Sequence, residues 1–554
     1  MPAPEDTDLL LVHADELDPV LEGPVASANA SAELSGTGYE DPEHLWDESR
    51  EANELAAQRW GVIAPEGPVG DELLGRIERL IARRQEQQDA KVSVYRVPSG
   101  MSAAEVSRWR KDHFEGPNVR RRDLPRYQLI LGELDQVSAE LQMMQGSDGY
   151  VGRLAFDDPE HYEAYVDKLL RWEQEPSPST RARAVFHTVQ DRTSATTVGH
   201  QSLMLPGLEL ARRDFEQGEF PASQVIAVDH GYTPKPGPLI EEAIKDDPAV
   251  LFTISHGAGA PRQGWRSTEE QRRLQGGMSF GRSGGLLTGE ALTNQRFLPG
   301  GVWFMLACFG AGTPEASKYR TWLDQLQAIG SFSGSTESIG ASLATNGRPF
   351  TAAVPKAVLA SSNGPLAFIG HVDLAWTYSF RERDGGRPVD RPGRFIDVLH
   401  GLLRQDRVGV AFRELYRHYG QANTDLAALI ESGEDDPERR GHLWMLRNDL
   451  AGYILLGDPA ARLPLRPEVV QQASNIDLSA MFGFGVSQTP TQSSQPEPTL
   501  DVDLDALERA IGLYLVGDLG VPKILQECGL ELGRREFEDL VRRYTEAGRS
   551  AIQR

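Results

Sequence analysis

Cysteine is almost absent from this chain of 554 residues, which holds only Cys308 and Cys528. Two thiols exclude a disulfide framework and a Cys-rich zinc site. Long hydrophobic runs are lacking as well. No apolar stretch reaches the ~18 to 20 residues that a membrane span requires, so no membrane attachment is expected. A secretory leader needs a basic start before an apolar core, whereas Glu5, Asp6 and Asp8 precede the short run Leu9 to Val12, and a cytoplasmic location is the expectation. Basic charge is scarce: 57 Lys and Arg stand against 81 Asp and Glu, a net charge of −24. With no long Lys/Arg run, an acidic chain of this kind repels phosphate backbones, which argues against nucleic-acid binding as its main activity. Over half of the acidic excess lies in the first 60 residues, where fifteen Asp and Glu face only Arg50 and Arg59.

What is present is enough chain for three or four folding units at roughly 150 residues each. Residues 1–66 read as an acidic, flexible N-terminal extension with a short helix over 47–60. From Gly70 to Gln88, Leu73, Leu74, Ile77, Leu80 and Ile81 recur at helical spacing, which predicts one amphipathic helix. Over 67–175, strands at 92–97, 127–131 and 150–156 alternate with helices at 138–144 and 159–173, an α/β subdomain. Pro-Ser-Pro-Ser-Thr at 176–180 makes a break. A second α/β domain over 181–466 follows, with strands at 183–189, 224–228, 249–255, 301–308, 357–360 and 366–371. Helices are expected at 205–215, 238–245, 319–328, 395–418 and 440–456. Strands that are apolar throughout and alternate with helices imply a parallel sheet covered on both faces. Residues 467–499 have a linker composition. The tail, 500–554, carries helical periodicity at Leu507, Ile511, Leu513 and Leu515 and at Phe537, Leu540, Val541 and Tyr544. It reads as a small helical module for docking a protein partner, with Cys528 in packing.

In such sheets ligands bind beyond the carboxyl ends of the strands. His256 ends the run Val250-Leu-Phe-Thr-Ile-Ser255, and Cys308 ends Val302-Trp-Phe-Met-Leu-Ala307. If these strands are neighbours, imidazole and thiol share one rim. A thiol becomes a nucleophile when a base takes its proton and amide donors await the oxyanion. The small residue Gly257 lets a backbone N–H approach a substrate, so the Gly257 and Cys308 amides are the candidate oxyanion hole. A rival pattern, G-x-S-x-G, occurs twice in overlap at Gly277 to Gly285 and would make Ser279 or Ser283 a nucleophile. It needs a strand before and a helix after, and the preceding Glu269 to Gly276 is polar and charged. His371 and Asp373 share a face of a predicted strand but lack a third metal ligand. The stretch 262–300 is the candidate activation loop.

Ser255-His-Gly257 and Leu306-Ala-Cys-Phe-Gly310 together resemble the caspase-like clan of cysteine peptidases, and within it the gingipain family. Asp148-Gly-Tyr-Val-Gly-Arg153, Glu163 to Lys168 with Trp172-Glu173, Asp229-His-Gly-Tyr-Thr-Pro234 and Leu455-Leu-Gly-Asp-Pro459 are similar to segments of that family, the last shared with CHAT-type relatives. The likeness covers about 125–465. It implies a caspase/gingipain-like parallel sheet flanked by helices, with a preceding α/β subdomain and a small helical C-terminal module. It implies His256 as general base, Cys308 as nucleophile and Asp191 as the acid that orients the imidazole. Trp376 falls near a Trp that covers the primary specificity pocket. The acid that selects Arg or Lys in gingipains would fall near His200 to Ser202, and Gln201 and Ser202 stand there instead, so a basic preference is not implied. A structural calcium is suggested by the family alone.

The expectation is a cysteine endopeptidase with a His–Cys dyad and no cofactor, hydrolysing protein or peptide substrates, in regulated bacterial proteolysis such as defence or cell death. The alternative is a non-catalytic scaffold that binds protein partners with the same sheet.

Overall fold

The computed structural model describes residues 6–7, 9–20, 25–26, 51–115, 119, 123–228, 234–332, 334–384, 387–433, 436–467, 525, 537 and 541. The chain divides into two compact units, 1–469 and 470–554. In the second, Leu525, Phe537 and Val541 are helical and buried; Cys528, most of the linker and the other periodic positions of the tail lie outside the described residues, as do residues 229–233.

In the first unit, β1 (Leu11–His13) comes from the acidic leading segment. β2 (Trp60–Pro65), β3 (Ser93–Val97), β4 (Tyr127–Leu131) and β5 (Tyr150–Leu154) form one half of a ten-stranded sheet. β6 (Arg183–Thr188), β7 (Gln224–Val228) and β8 (Ala249–Ile254) open the other half. β9 (His256–Gly259), β10 (Met278–Ser279) and β11 (Leu286–Leu287) then build a small sheet with β1, before β12 (Val302–Leu306), β13 (Ala367–His371) and β14 (Tyr453–Gly457) return to the large one. The large sheet has the order β3-β2-β4-β5-β14-β13-β12-β8-β6-β7. Every neighbouring pair is parallel except β13 and β14. β8 and β12 are buried at every position, because helices cover both faces and leave no solvated side for alternation to mark. In the second half the strands β6, β7, β8, β12 and β13 stand in the spatial order 2-1-3-4-5. That order puts a topological switch point between β6 and β8, where the carboxyl-end crevice opens.

The halves meet at β14 and the turn after it. The Asp458 carboxylate is buried and accepts from Trp60 Nε1 at 2.9 Å and from Arg84 Nε and Nη2 at 3.0 and 2.7 Å. Arg84 also reaches Glu173 at 2.7 Å. The expected subdomain and catalytic domain are therefore two halves of one sheet, and Gly457-Asp458-Pro459 is a structural joint.

Several elements differ from the sequence reading. Trp60–Pro65, read inside a flexible extension, is a buried strand, and Leu9 to Val12 are buried too. The helix over 70–88 is two, Gly67–Arg76 and Glu78–Gln88, separated at Ile77, whose φ of −108° and ψ of 13° leave the helical region. The second then carries Arg84 to Asp458. Ala357 to Ala360 is not a strand but the last turn of the helix Ala353–Ala360, whose final carbonyls accept from the buried Lys168. A four-residue apolar run cannot tell the two periods apart. The helix expected over 440–456 ends at Ala451 and β14 follows. Gly452 permits the change, since a Cβ there would lie 2.0 Å from the His371 ring. Residues 395–418 belong to two helices, Gly393–Leu403 and Val408–Ser432, parted near Gln405 at φ 66°. The stretch 262–300 is not an open loop: it holds the helix Thr268–Leu274 and the strands β10 and β11.

Candidate active site

The register of β8 against β12 pairs Ile254 with Leu306, so the residues two places beyond each strand end, His256 and Cys308, come side by side on the rim. The approach is close enough to dictate a glycine. A Cβ on Gly257 would lie 1.8 Å from the Cys308 carbonyl oxygen, a backbone atom that cannot swing away. Beyond Cys308 the chain turns sharply, with Phe309 in the left-handed region at φ 55°. Its N–H donates to the Asp373 carbonyl at 3.0 Å and that of Ala311 to the His371 carbonyl at 2.9 Å, which ties the turn to the end of β13.

The Cys308 thiol is fully buried. Its Sγ accepts from the Ala375 N–H at 3.2 Å and its S–H faces the Ala375 carbonyl at 3.6 Å. Burial pushes the thiol well above its ordinary value, with the N–H groups of Ala375 and Leu10 pulling the other way. In this state Cys308 is protonated.

Asp191 lies in the loop after β6, across the switch point from His256. Its Oδ1 accepts from the Thr193 N–H at 3.1 Å, the Thr193 hydroxyl at 2.8 Å and the Thr196 hydroxyl at 2.7 Å. The Thr193 hydroxyl lies 2.8 Å from His256 Nε2, and Asp191 Oδ2 lies 3.8 Å from the same nitrogen. These contacts favour one tautomer. With both the Thr193 and Thr196 hydroxyls donating to the Asp191 carboxylate, which accepts only, the Thr193 oxygen accepts from His256 Nε2–H. Nδ1 then bears the lone pair, and it is buried without a hydrogen-bond partner among the described residues. Burial holds the imidazole below its ordinary value while the Asp191 carboxylate works partly against that, so His256 is neutral and carries a free base nitrogen. Asp191 is thus near the histidine as the sequence suggests, acting mainly through Thr193. That residue was missed because a hydroxyl at the start of a helix, here Ser194–Gly199 with Thr193 at its N-cap position, is an ordinary feature.

The Gly257 and Cys308 amides converge on a single acceptor, the Leu10 carbonyl, at 2.8 and 3.2 Å. Leu10 N–H in turn donates to the Ala375 carbonyl at 3.4 Å. Leu9 bridges Trp376 in antiparallel fashion, and β1 runs parallel to β9, pairing Leu11 with Gly257 and His13 with Gly259. An extended segment of this chain therefore fills the rim.

Trp376 is fully buried, with Tyr319 and Trp322 edge-on at 5.7 and 5.4 Å between ring centroids. Its backbone N–H and that of Ser379 donate to the two oxygens of Asp449, each at 2.8 Å. The sequence reading passed over Asp449; its only signal is an acid amid the apolar residues of the helix Pro437–Ala451. Gln201 and Ser202 occupy a π-helical turn, His200–Met204, the first exposed and the second buried, so the two point differently. Both His371 nitrogens have backbone partners, Asp373 and Asp449. The Asp373 carboxylate is taken by Leu374, Ser317 and Lys318. Among the described residues no cluster of three metal-ligating side chains occurs. Ser279 ends the two-residue strand β10, paired antiparallel with His256 on one side and Leu286 on the other, and Ser283 is exposed in the four-residue helix that follows; this short antiparallel strand and single helical turn differ from the long parallel strand and helix of a nucleophile elbow.

No family model matches this chain, and no curated protein does. Among solved structures the chain is similar to the Arg-specific cysteine proteinase gingipain R, at 13% identity over 74% of this chain and 78% of that one, with a TM-score of 0.44. It is similar to a second structure described only as a protease, at 12% identity over 73% and 78%, with a TM-score of 0.42. A third likeness, to the Saccharomyces cerevisiae separase–securin complex, has 12% identity and a TM-score of 0.25 and covers 60% of this chain and 15% of that one.

Proposed function

We propose that this chain is a cysteine endopeptidase that hydrolyses peptide bonds in protein substrates with a His256–Cys308 dyad. The observation that carries the reading is the pair of amides, Gly257 and Cys308, meeting one carbonyl oxygen beside the thiol and the oriented imidazole. His256 Nδ1 takes the thiol proton, and the Cys308 sulfur attacks the scissile carbonyl carbon. The amides hold the oxygen as its charge develops. Asp191, through Thr193, keeps the proton on Nε2 and stabilises the imidazolium that forms. His256 then protonates the leaving amine, and water, deprotonated by the same nitrogen, releases the acyl group. Side chains, amides and water suffice for these steps.

The test is cleavage of a peptide library by the purified chain beside Cys308→Ala and His256→Ala. Cleavage by the parent alone, with a thiol-directed peptide probe on Cys308, is the expected result. The filled rim and the buried, protonated thiol favour one other reading, a scaffold that binds partners without turnover. Absence of both cleavage and labelling, also in a variant whose rim has been emptied, would select it.

A further inference from the structure

The segment that fills the rim lies there as a substrate would. We propose that it is a substrate of the same site: that Leu10–Leu11 is the bond presented to Cys308, and that the cleft selects a leucine-like residue on the acyl side. The inference rests on the peptidase reading above and adds to it the bond, the specificity and a self-processing step.

Three observations agree on the register. The Leu10 carbonyl, alone in the segment, accepts from both Gly257 and Cys308. The residues before that carbonyl pair with one wall of the cleft, Leu10 N–H to the Ala375 carbonyl and Leu9 to Trp376. The residues after it pair with the other wall, Leu11 to His13 along Gly257 to Gly259. The peptide bond thus passes from one strand partner to the other at the thiol, as the bond to be cut must.

The side chains define what the cleft accepts. Leu10 and Leu11 are fully buried, Leu9 is 3% exposed, and all three join the apolar core. A Cβ on Gly259 would lie 2.7 Å from the Leu11 side chain, so that small residue makes room for the leaving-group side. An arginine or aspartate in place of Leu10 would bring a charge into an apolar site. The segment is held from behind as well. Residues 11–20 fold back on themselves through Val20 N–H to the Leu11 carbonyl at 3.0 Å. Arg262 pairs with Glu16 and Asp18 at 2.9 and 2.6 Å, and Arg282 with Asp18 at 3.2 Å.

In the step itself the Cys308 thiol proton passes to His256 and the sulfur bonds to the Leu10 carbonyl carbon. The Leu10–Leu11 C–N bond breaks as His256 returns the proton to the Leu11 nitrogen. Water then cleaves the thioester, giving a Leu10 carboxylate and the free thiol. The cut leaves Asp6 and Thr7 paired with Ala26 and Val25 and the hairpin 11–20 strapped by its ion pairs.

The experiment is intact mass and N-terminal sequencing of the purified chain and of Cys308→Ala, with a synthetic peptide of residues 6–15 added to each. The expected result is a chain and a peptide both cut between Leu10 and Leu11 by the parent and left whole by Cys308→Ala. Leu10→Val should slow the self-cut by about 10- to 200-fold, the discrimination that an apolar pocket gives for one missing methylene. Cleavage at Leu9–Leu10 or Leu11–Val12 would overturn the register. Labelling of Cys308 and turnover of peptides with another acyl-side residue, with Leu10–Leu11 uncut in chain and peptide alike, would overturn this inference and leave the peptidase reading standing. No labelling and no cleavage of any peptide, including by Leu10→Asp, in which the segment cannot seat, would overturn both.

Discussion

Removing the Asp458 carboxylate should loosen the joint between the half-sheets by about 3–5 kcal/mol, the usual cost of stranding one partner of a buried ion pair. In Asp458→Ala, Arg84 loses acceptors for Nε and Nη2, Trp60 Nε1 loses its acceptor, and so does the Ala460 N–H. Arg84 stays charged in the variant, because a guanidinium does not give up its proton in a protein. Glu173, 2.7 Å away and 20% exposed, can neutralise only part of the charge, which keeps the figure short of a fully unpaired ion. A chain of this size does not unfold in two states, so a single midpoint will not report the effect. Hydrogen exchange resolved by segment will, because sub-global openings have their own free energies. In Asp458→Ala, amides of β2 should exchange about 10²- to 10³-fold faster while those of β8 and β12 change little, a tenfold change being about 1.4 kcal/mol. Adding Arg84→Met should recover part of the loss, because the uncompensated charge is gone. A change in β2 under about 1 kcal/mol, or no recovery in the double variant, would refute the reasoning.

Other consequences follow from the site. Thr193→Val should lower the turnover of any peptide found by about 10²- to 10⁴-fold, because His256 Nε2 loses the acceptor that sets its tautomer, while Thr193→Ser should retain most activity. Burial holds His256 below its ordinary value, so the acid limb of the pH–rate profile should lie below about 6.5. Asp191→Asn removes an opposing charge and should move that limb further to acid while slowing the reaction. The same burial has a stability sign: between the lowered folded value and the unfolded one, the unfolded chain binds more protons, so acidification through that window destabilises the fold. Gly257→Ala must open the rim by about 1.5 Å to clear the Cys308 carbonyl, at a cost of about 1–3 kcal/mol in overpacking and about 10²-fold in rate; thermal unfolding and steady-state rates read the two separately. Asp449→Ala strands the Trp376 and Ser379 amides and should raise KM more than it lowers kcat, since the wall that pairs with Leu9 is displaced.

The placing of His256 and Cys308 on one rim was legible in the sequence because two unbroken apolar runs each end in one of them, and burial on both faces leaves such runs with few alternatives to neighbouring parallel strands. Gly257 was legible for the same reason. β2 was not: Trp60-Gly-Val-Ile-Ala-Pro65 adjoins an acidic stretch, and its burial depends on Asp458, far along the chain. β14 was hidden because only Gly452 separates it from a helix of similar apolarity. The Leu9 to Val12 run was seen, but its seat in the rim is built from main-chain hydrogen bonds, which leave no mark on residue identity. Thr193 and Asp449 carry ordinary side chains whose roles exist only once distant segments have met.

Among the described strands, the one that joins the half-sheets is the last in the chain. β5 and β13 must wait for β14, and the wall at 375–379 waits for Asp449, while Cys308 and His256 have long left the ribosome. Contacts so far apart in sequence form slowly. In the order of the chain, the thiol and the imidazole come well before Asp449, whose carboxylate fixes the wall at 375–379 opposite them.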